Sequence, residues 1–181
     1  IMSNNSRFEI TDSRRLTGPN LFWNKTGAIL DVSINGYDAE MVIGIWKKHA
    51  RTLLDALNWQ SQQITSRQYK DGASLVISAP IDCLYAATEI TEAAFSMTQK
   101  ALNKQSVSIQ DYVPVLQQAI NSEKNPALVD LYNAATQQNV KFLSDDDYVS
   151  LGYGQSTQIF SVKNIPHIED INWGTIKDIP V

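Results

Sequence analysis

Apolar residues recur along this chain with two spacings, and each spacing names an element. In GAILDVSING, Gly27 to Gly36, Ile29, Val32 and Ile34 are set among Asp31 and Ser33, the mark of a half-buried strand ending at Asn-Gly. Asp38 then stands where a helix cap is wanted. From Ala39 to about Trp59, Val42, Trp46, Ala50, Leu53 and Leu57 fall on one helical face, with Lys47, Lys48 and Arg51 mostly away from it. Fully burying large side chains there is worth roughly 1.5–3 kcal/mol each before entropy, more than any propensity difference, so packing decides this helix.

QQITSRQYKDGASLVISAP returns to the period of two. It reads as strands over about 63–69 and 73–79 joined across Lys70-Asp71-Gly72, where Asp-Gly supplies the positive φ of a tight hairpin. Pro80 suits the first turn of a second helix, Ile81 to about Leu102, whose stripe Cys83, Ala87, Ile90, Ala94, Met97 and Ala101 is rich in small residues. Ser108 to Asp111 resembles a capping box, with Asp where Glu or Gln is usual. Asn125-Pro126 places a cap before a proline and opens a helix to about Gln138. VKFL, DYVSLGYG and TQIFSV read as short strands around the acidic turn Asp145-Asp146-Asp147, and the tail beyond Pro166 reads as linker. The expected architecture is α+β: a mixed or antiparallel sheet with helices on one face, in a βαββαβ-like order with a helical insertion.

Composition narrows the classes. The 181 residues allow one domain, or one domain with an extra segment, and their 43% hydrophobic content is that of a chain with a proper core. A net charge of -4 argues against a general nucleic-acid binder, which needs a basic face. The single cysteine, Cys83, allows no internal disulfide and suits a cytoplasmic chain. No apolar run approaches the roughly 20 residues of a membrane span, so no membrane partner is expected. The start carries no signal-peptide pattern, and WGTIKDIPV stops at Val181 in what reads as a strand entry, so the chain is expected to continue.

Candidate chemistry is sparse. Neither a phosphate loop nor a dinucleotide fingerprint is present. His49 and His167 lack metal-ligand spacing, and Cys83 sits on an apolar stripe, so no metal site is expected from them. The Asp145–Asp147 turn could bind a cation through its oxygens or be a solvated turn, and Gly152-Tyr153-Gly154 reads as a strand bend. Ser78, Asp82 and the i,i+3 pair Glu89 and Glu92 are the candidates for acid–base or nucleophilic work. DSRRLTGPNLFW, Asp12 to Trp23, offers more: Arg14 and Arg15 can hold a carboxylate or a phosphate through planar donor forks beside the Gly18-Pro19 turn, with Leu21, Phe22 and Trp23 pinning the loop. The structural alternative is an arginine paired with a nearby carboxylate.

Two of these stretches together resemble a family. RRLTGPNLFW is similar to the R-x-x-x-GPN-x-W-type opening of cyanophycin synthetases, and DDDYVSLGYGQSTQIF resembles the V-x-LGYG segment closing the N-terminal domain of that family, in the same order. The resemblance implies an N-terminal domain over residues 7–162 and a linker over 163–181. IKDIPV resembles the strand before the phosphate loop of Mur-type ligases, so the linker would lead to an ATP-binding domain. The segment after LGYG departs from the family, with QSTQIF in place of basic residues and no ATP-grasp module following. That departure removes the basis for assigning cyanophycin synthesis itself.

What the resemblance implies is a non-catalytic substrate-binding or positioning domain of an ATP-dependent carboxylate–amine ligase. ATP and Mg would belong to the parent protein, with no cofactor and no catalytic residue in this segment. Its expected partners are an amino-acid or peptide-like carboxylate substrate and its own ligase domain. The positions matching the family are Arg14, Arg15, Gly18, Pro19 and Asn20 together with Gly152, Tyr153 and Gly154, expected to converge on the substrate. The competing expectation is a stand-alone module that self-associates as a homo-oligomer through the Ala-rich helix.

Overall fold

The computed structural model describes residues 6–176 and has an α+β fold with antiparallel sheets. It divides into two compact units, one ending at Glu123 and the other beginning at Lys124. Of WGTIKDIPV, which reads as a strand entry, Trp173–Ile176 is a short helical turn instead, and residues 177–181 lie outside the described residues.

In the first unit, β1 (Arg7–Leu16), β2 (Gly27–Asn35), α1 (Ala39–Ala56), β3 (Ile64–Tyr69), β4 (Gly72–Ser78), α2 (Leu84–Leu102) and α3 (Val113–Glu123) follow in chain order. The strands form an antiparallel sheet in the order β1-β2-β4-β3. The expected βαββα run is present from β2 to α2, and it is preceded by a further strand, Arg7–Leu16, where the sequence shows no clean alternation. Its pattern is broken by a bulge between Ile10 and Asp12. Phe8 faces α2, with its ring 4.4 Å from that of Phe95. Past the bulge the parity shifts, and the odd-numbered Ser13 and Arg15 take the helix side.

α1 and α2 lie against each other and against the sheet. The stripe Val42, Trp46, Ala50, Leu53 and Leu57 is buried as its spacing requires, and Asp38 caps the helix through Glu40 N–H at 3.2 Å. The small-residue stripe of α2 is buried too, with Ala87, Ile90 and Ala94 fully inaccessible inside this unit. Self-association through that stripe has lost its surface. α2 begins at Leu84, not Ile81: Pro80 to Cys83 form a turn, and the side chain of the cap residue Cys83 does not cap the helix. The first amides are instead met by Glu123, which accepts from Tyr85 N–H at 3.0 Å and Ala86 N–H at 2.7 Å. A carboxylate at a helix N-terminus is favoured by both hydrogen bonding and the helix dipole. The capping box at Ser108 does not form; Ile109–Asp111 is a single 3-10 turn without a side-chain cap.

The hairpin turn is Lys70-Asp71, with Asp71 carrying the positive φ of 62°. Gly72 already belongs to β4, where a Cβ would stand 2.4 Å from Val32 O. Close approach of two backbones, not a left-handed turn, is what needs this glycine.

The second unit holds α4 (Pro126–Gln137), β5 (Phe142–Ser144), β6 (Tyr148–Leu151), β7 (Gln158–Ser161) and α5 (Trp173–Ile176). Asn125 caps α4 by accepting from Leu128 N–H at 3.2 Å, and the strands pair antiparallel as β5-β6-β7. Val149 and Leu151 are buried on one face of this sheet. Part of the expected linker is folded: Ile171 and Ile176 are buried, the latter in α5.

His49, half-buried on α1, has its pKa lowered by desolvation and secondarily by Lys48. The unfolded chain then binds a proton that the folded chain resists, so stability falls as the pH drops below the ordinary histidine value of 6.5. His49→Gln is expected to flatten that part of the stability–pH curve, which urea midpoints between pH 5 and pH 8 would register.

Candidate functional site

The adjacent arginines point to opposite faces of the sheet. Arg14 pairs in register with Ile29 and Arg15 with Ala28, and successive strand residues alternate sides. On the face away from the helices, Arg14 Nη1 donates to Asp12 Oδ2 at 2.5 Å and Asp31 Oδ2 at 2.6 Å. Asp31 Oδ1 also accepts from Ser74 Oγ at 2.6 Å. Hydrogen bonding to Asp31, against partial desolvation and with help from Asp12, raises the Arg14 pKa further. Two carboxylates thus already bind this guanidinium. Arg14 and Arg15 do not form one double fork.

Arg15 has different surroundings. Its guanidinium carbon lies 4.1 Å from the centre of the Tyr85 ring, within cation–π range. Ser13, Arg15 and Thr17 at spacing two, and Tyr85, Thr88 and Glu92 at i, i+3 and i+7, line a surface cleft of about 390 Å³ between β1 and α2. Arg14 borders it as well, with its guanidinium on the other side of the strand. Ser13 Oγ is buried and makes no hydrogen bond among the described residues. Thr88 Oγ1 donates to Tyr85 O at 2.6 Å, which orients its lone pairs toward further donors. The cleft therefore combines a planar cation, an aromatic wall, hydroxyls and a carboxylate.

The GPN turn serves the loop itself. Asn20 Oδ1 accepts from the N–H groups of Phe22 and Trp23, and Nδ2 donates to Gly18 O and Lys25 O. Every hydrogen-bonding atom of that amide has a partner in the loop. Leu21 is 91% exposed and so does not pin the loop, while Phe22 and Trp23 are half-buried. Gly18 is not required by crowding, since a Cβ there would meet nothing within 4 Å. Pro19 is exposed.

Gly152, Tyr153 and Gly154 belong to the second unit. Gly152 has φ of 96°, its N–H donates to Lys141 O at 2.8 Å, and a Cβ on it would stand 2.9 Å from Ile176 Cγ2. Tyr153 carries Lys141 Nζ 5.0 Å from its ring centre, and Gly154 at φ 57° starts a 3-10 turn. These residues form the bend expected of them, and the first glycine is demanded by both φ and packing.

The other candidates separate. Ser78 Oγ donates to Gln62 Oε1 and accepts from Gln63 N–H, both at 2.7 Å, beside the β3 edge of the sheet. Glu92 lies beside β1, the opposite edge, and Glu89 is exposed. They are not assembled into one catalytic cleft. Asp145 Oδ1 accepts from the N–H groups of Asp147 and Tyr148, which makes it a turn-forming residue. Among the described residues no cluster of three or more His, Cys, Asp or Glu side chains could hold a metal ion.

The sequence named Arg15 and Glu92 separately and missed Ser13, Thr17, Tyr85 and Thr88. The Tyr-x-x-Thr-x-x-x-Glu spacing on the exposed edge of α2 was the available signal. Its partner surface became readable only once Arg7–Leu16 was known to be a strand with a bulge. No protein-family model matches the chain, and no curated protein matches it.

Proposed function

We propose that this chain is a substrate-holding accessory domain of an ATP-dependent carboxylate–amine ligase of the Mur and cyanophycin synthetase type, and that it holds a carboxylate at Arg15. The observation that carries this reading is the Arg15 guanidinium seated on the Tyr85 ring within an open cleft. An aromatic face restrains the plane of a guanidinium, whose fork of donors has the geometry of a carboxylate. The ordered GPN and LGYG segments supply the ligase context. On this reading ATP and Mg act in the parent ligase domain, and the domain works in the cytoplasm. Arg14 has a structural part, since Asp12 and Asp31 bind it, and Asn20 shapes the loop after β1.

Calorimetry of the chain against acidic amino acids and short acidic peptides tests the proposal. Arg15→Gln is expected to weaken binding at least about tenfold, because a charge-assisted hydrogen bond contributes on the order of 1.5–3 kcal/mol. Arg14→Gln is expected to leave affinity within about threefold and to lower stability instead. Equal affinity of Arg15→Gln and the unaltered chain would remove the site.

A further inference from the structure

Gly44 lies in the interior of α1, where glycine is the most costly residue after proline. Nothing inside the chain asks for it there. Its φ is not among the positive values that need glycine, and among the described residues a Cβ on it would meet nothing within 4 Å. Around it on the outer side of the helix stand Glu40, Met41 and Lys48, all exposed, and Ile45, which is half-buried. A missing side chain among bulky ones is a notch, and a notch lets a second helix approach to the short end of the roughly 8–10 Å range of packed axes. We infer that this face of α1 is a self-association surface, on which a second copy of the chain lays its own α1 antiparallel, the two helices crossing at Gly44.

The charges beside the notch select this occupant. Glu40, Gly44 and Lys48 follow at i, i+4 and i+8, so they form one ridge, with the carboxylate about 6 Å along the axis on one side of the glycine and the ammonium about 6 Å on the other. In an antiparallel pair related by a two-fold, each position before Gly44 faces the position equally far after it in the partner. Glu40 then meets the partner's Lys48, and Lys48 meets the partner's Glu40. Met41 faces the partner's Lys47 in the same way, thioether against aliphatic stem. A parallel pair would set Glu40 against the partner's Glu40 and Lys48 against the partner's Lys48, which is repulsive. Among the described residues neither Glu40 nor Lys48 forms a salt bridge within the chain. Exposed ion pairs are weak, so they set the direction of the crossing, while contact at Gly44, Met41 and Ile45 supplies its strength. One helix crossing covers less than the roughly 1,200–2,000 Å² of a standard interface, so a weak dimer is expected, with Kd between about 10 μM and 1 mM.

Sedimentation equilibrium of the chain from about 10 μM to about 1 mM tests the proposal. The average mass should rise across that range toward twice the mass of one chain. Gly44→Ala separates the surface from the fold. Its urea midpoint, taken at about 1 μM where single chains dominate, should rise, because alanine is the better helix former. Its Kd for self-association should nevertheless weaken at least about fivefold, because the added Cβ atoms hold the helices apart. Glu40→Lys and Lys48→Glu should each weaken association at least about fivefold, and the two together should restore it to within about twofold of the unaltered chain. The mass of a single chain at the highest concentration would overturn the proposal. A dimer indifferent to Gly44→Ala would overturn the crossing point, and one that the double charge reversal fails to restore would overturn the antiparallel pairing.

Discussion

Trp46→Ala is expected to lower stability by about 3–5 kcal/mol, the range for removing a buried aromatic from a core. The Trp46 side chain is fully buried at the α1–α2 contact, and its Nε1–H donates to Thr91 O at 3.2 Å. The substitution deletes the largest inaccessible side chain and leaves a cavity, since α1 and α2 are also held by the sheet beneath them. It also strips the Thr91 carbonyl of that donor. Urea unfolding followed by far-ultraviolet circular dichroism would report the loss as a lower midpoint. Trp46→Phe, which keeps most of the volume, should recover more than half of it. A loss under about 1.5 kcal/mol for the alanine variant would mean that the two helices close over the gap, and that this contact does not organise the core.

Gly27→Ala is the second large effect, and here two principles disagree about the sign. Propensity favours the change by roughly 0.5–1 kcal/mol, because glycine loses more chain entropy in a strand. Sterics oppose it. Gly27 pairs with Leu16 on one side and Ser78 on the other, and a Cβ there would stand 1.9 Å from Ile77 O and 2.9 Å from Ser78 Cα. Both are backbone atoms of the neighbouring strand, so no rotamer change relieves the clash; β2 and β4 must separate. Thr26 meets Ala79 through two hydrogen bonds, Ala79 N–H to Thr26 O and Thr26 Oγ1 to Ala79 O, and separation would strain both. Overpacking of this kind costs about 1–3 kcal/mol and more where backbone must move, so destabilisation by about 3 kcal/mol is expected. Gly18→Ala is the matched control, with open space around its Cβ and an expected change within about 0.5 kcal/mol. Equal midpoints for the two variants would show that the strand pair adjusts freely at Gly27.

The sequence by itself determined the elements whose signal is local and periodic. α1 followed from Val42, Trp46, Ala50, Leu53 and Leu57 and from the Asp38 cap; α4 followed from Asn125-Pro126; the β3–β4 hairpin followed from Asp71-Gly72 between two alternating runs. These are set by nearest neighbours along the chain, so a single sequence carries them. The α+β class with a mixed or antiparallel sheet followed from their sum, and the structure makes both sheets antiparallel. Tertiary structure alone decided the rest. The bulge between Ile10 and Asp12 shifts the parity of β1, sending Arg14 to the Asp12–Asp31 cluster and Arg15 to Tyr85, so that two adjacent identical residues differ in chemistry. Glu123 meets the N-terminus of α2 across 38 and 37 positions of sequence, where no local cap signal exists. Strand register and helix docking are fixed by contacts between distant residues, and a periodicity read along the chain holds no term for them.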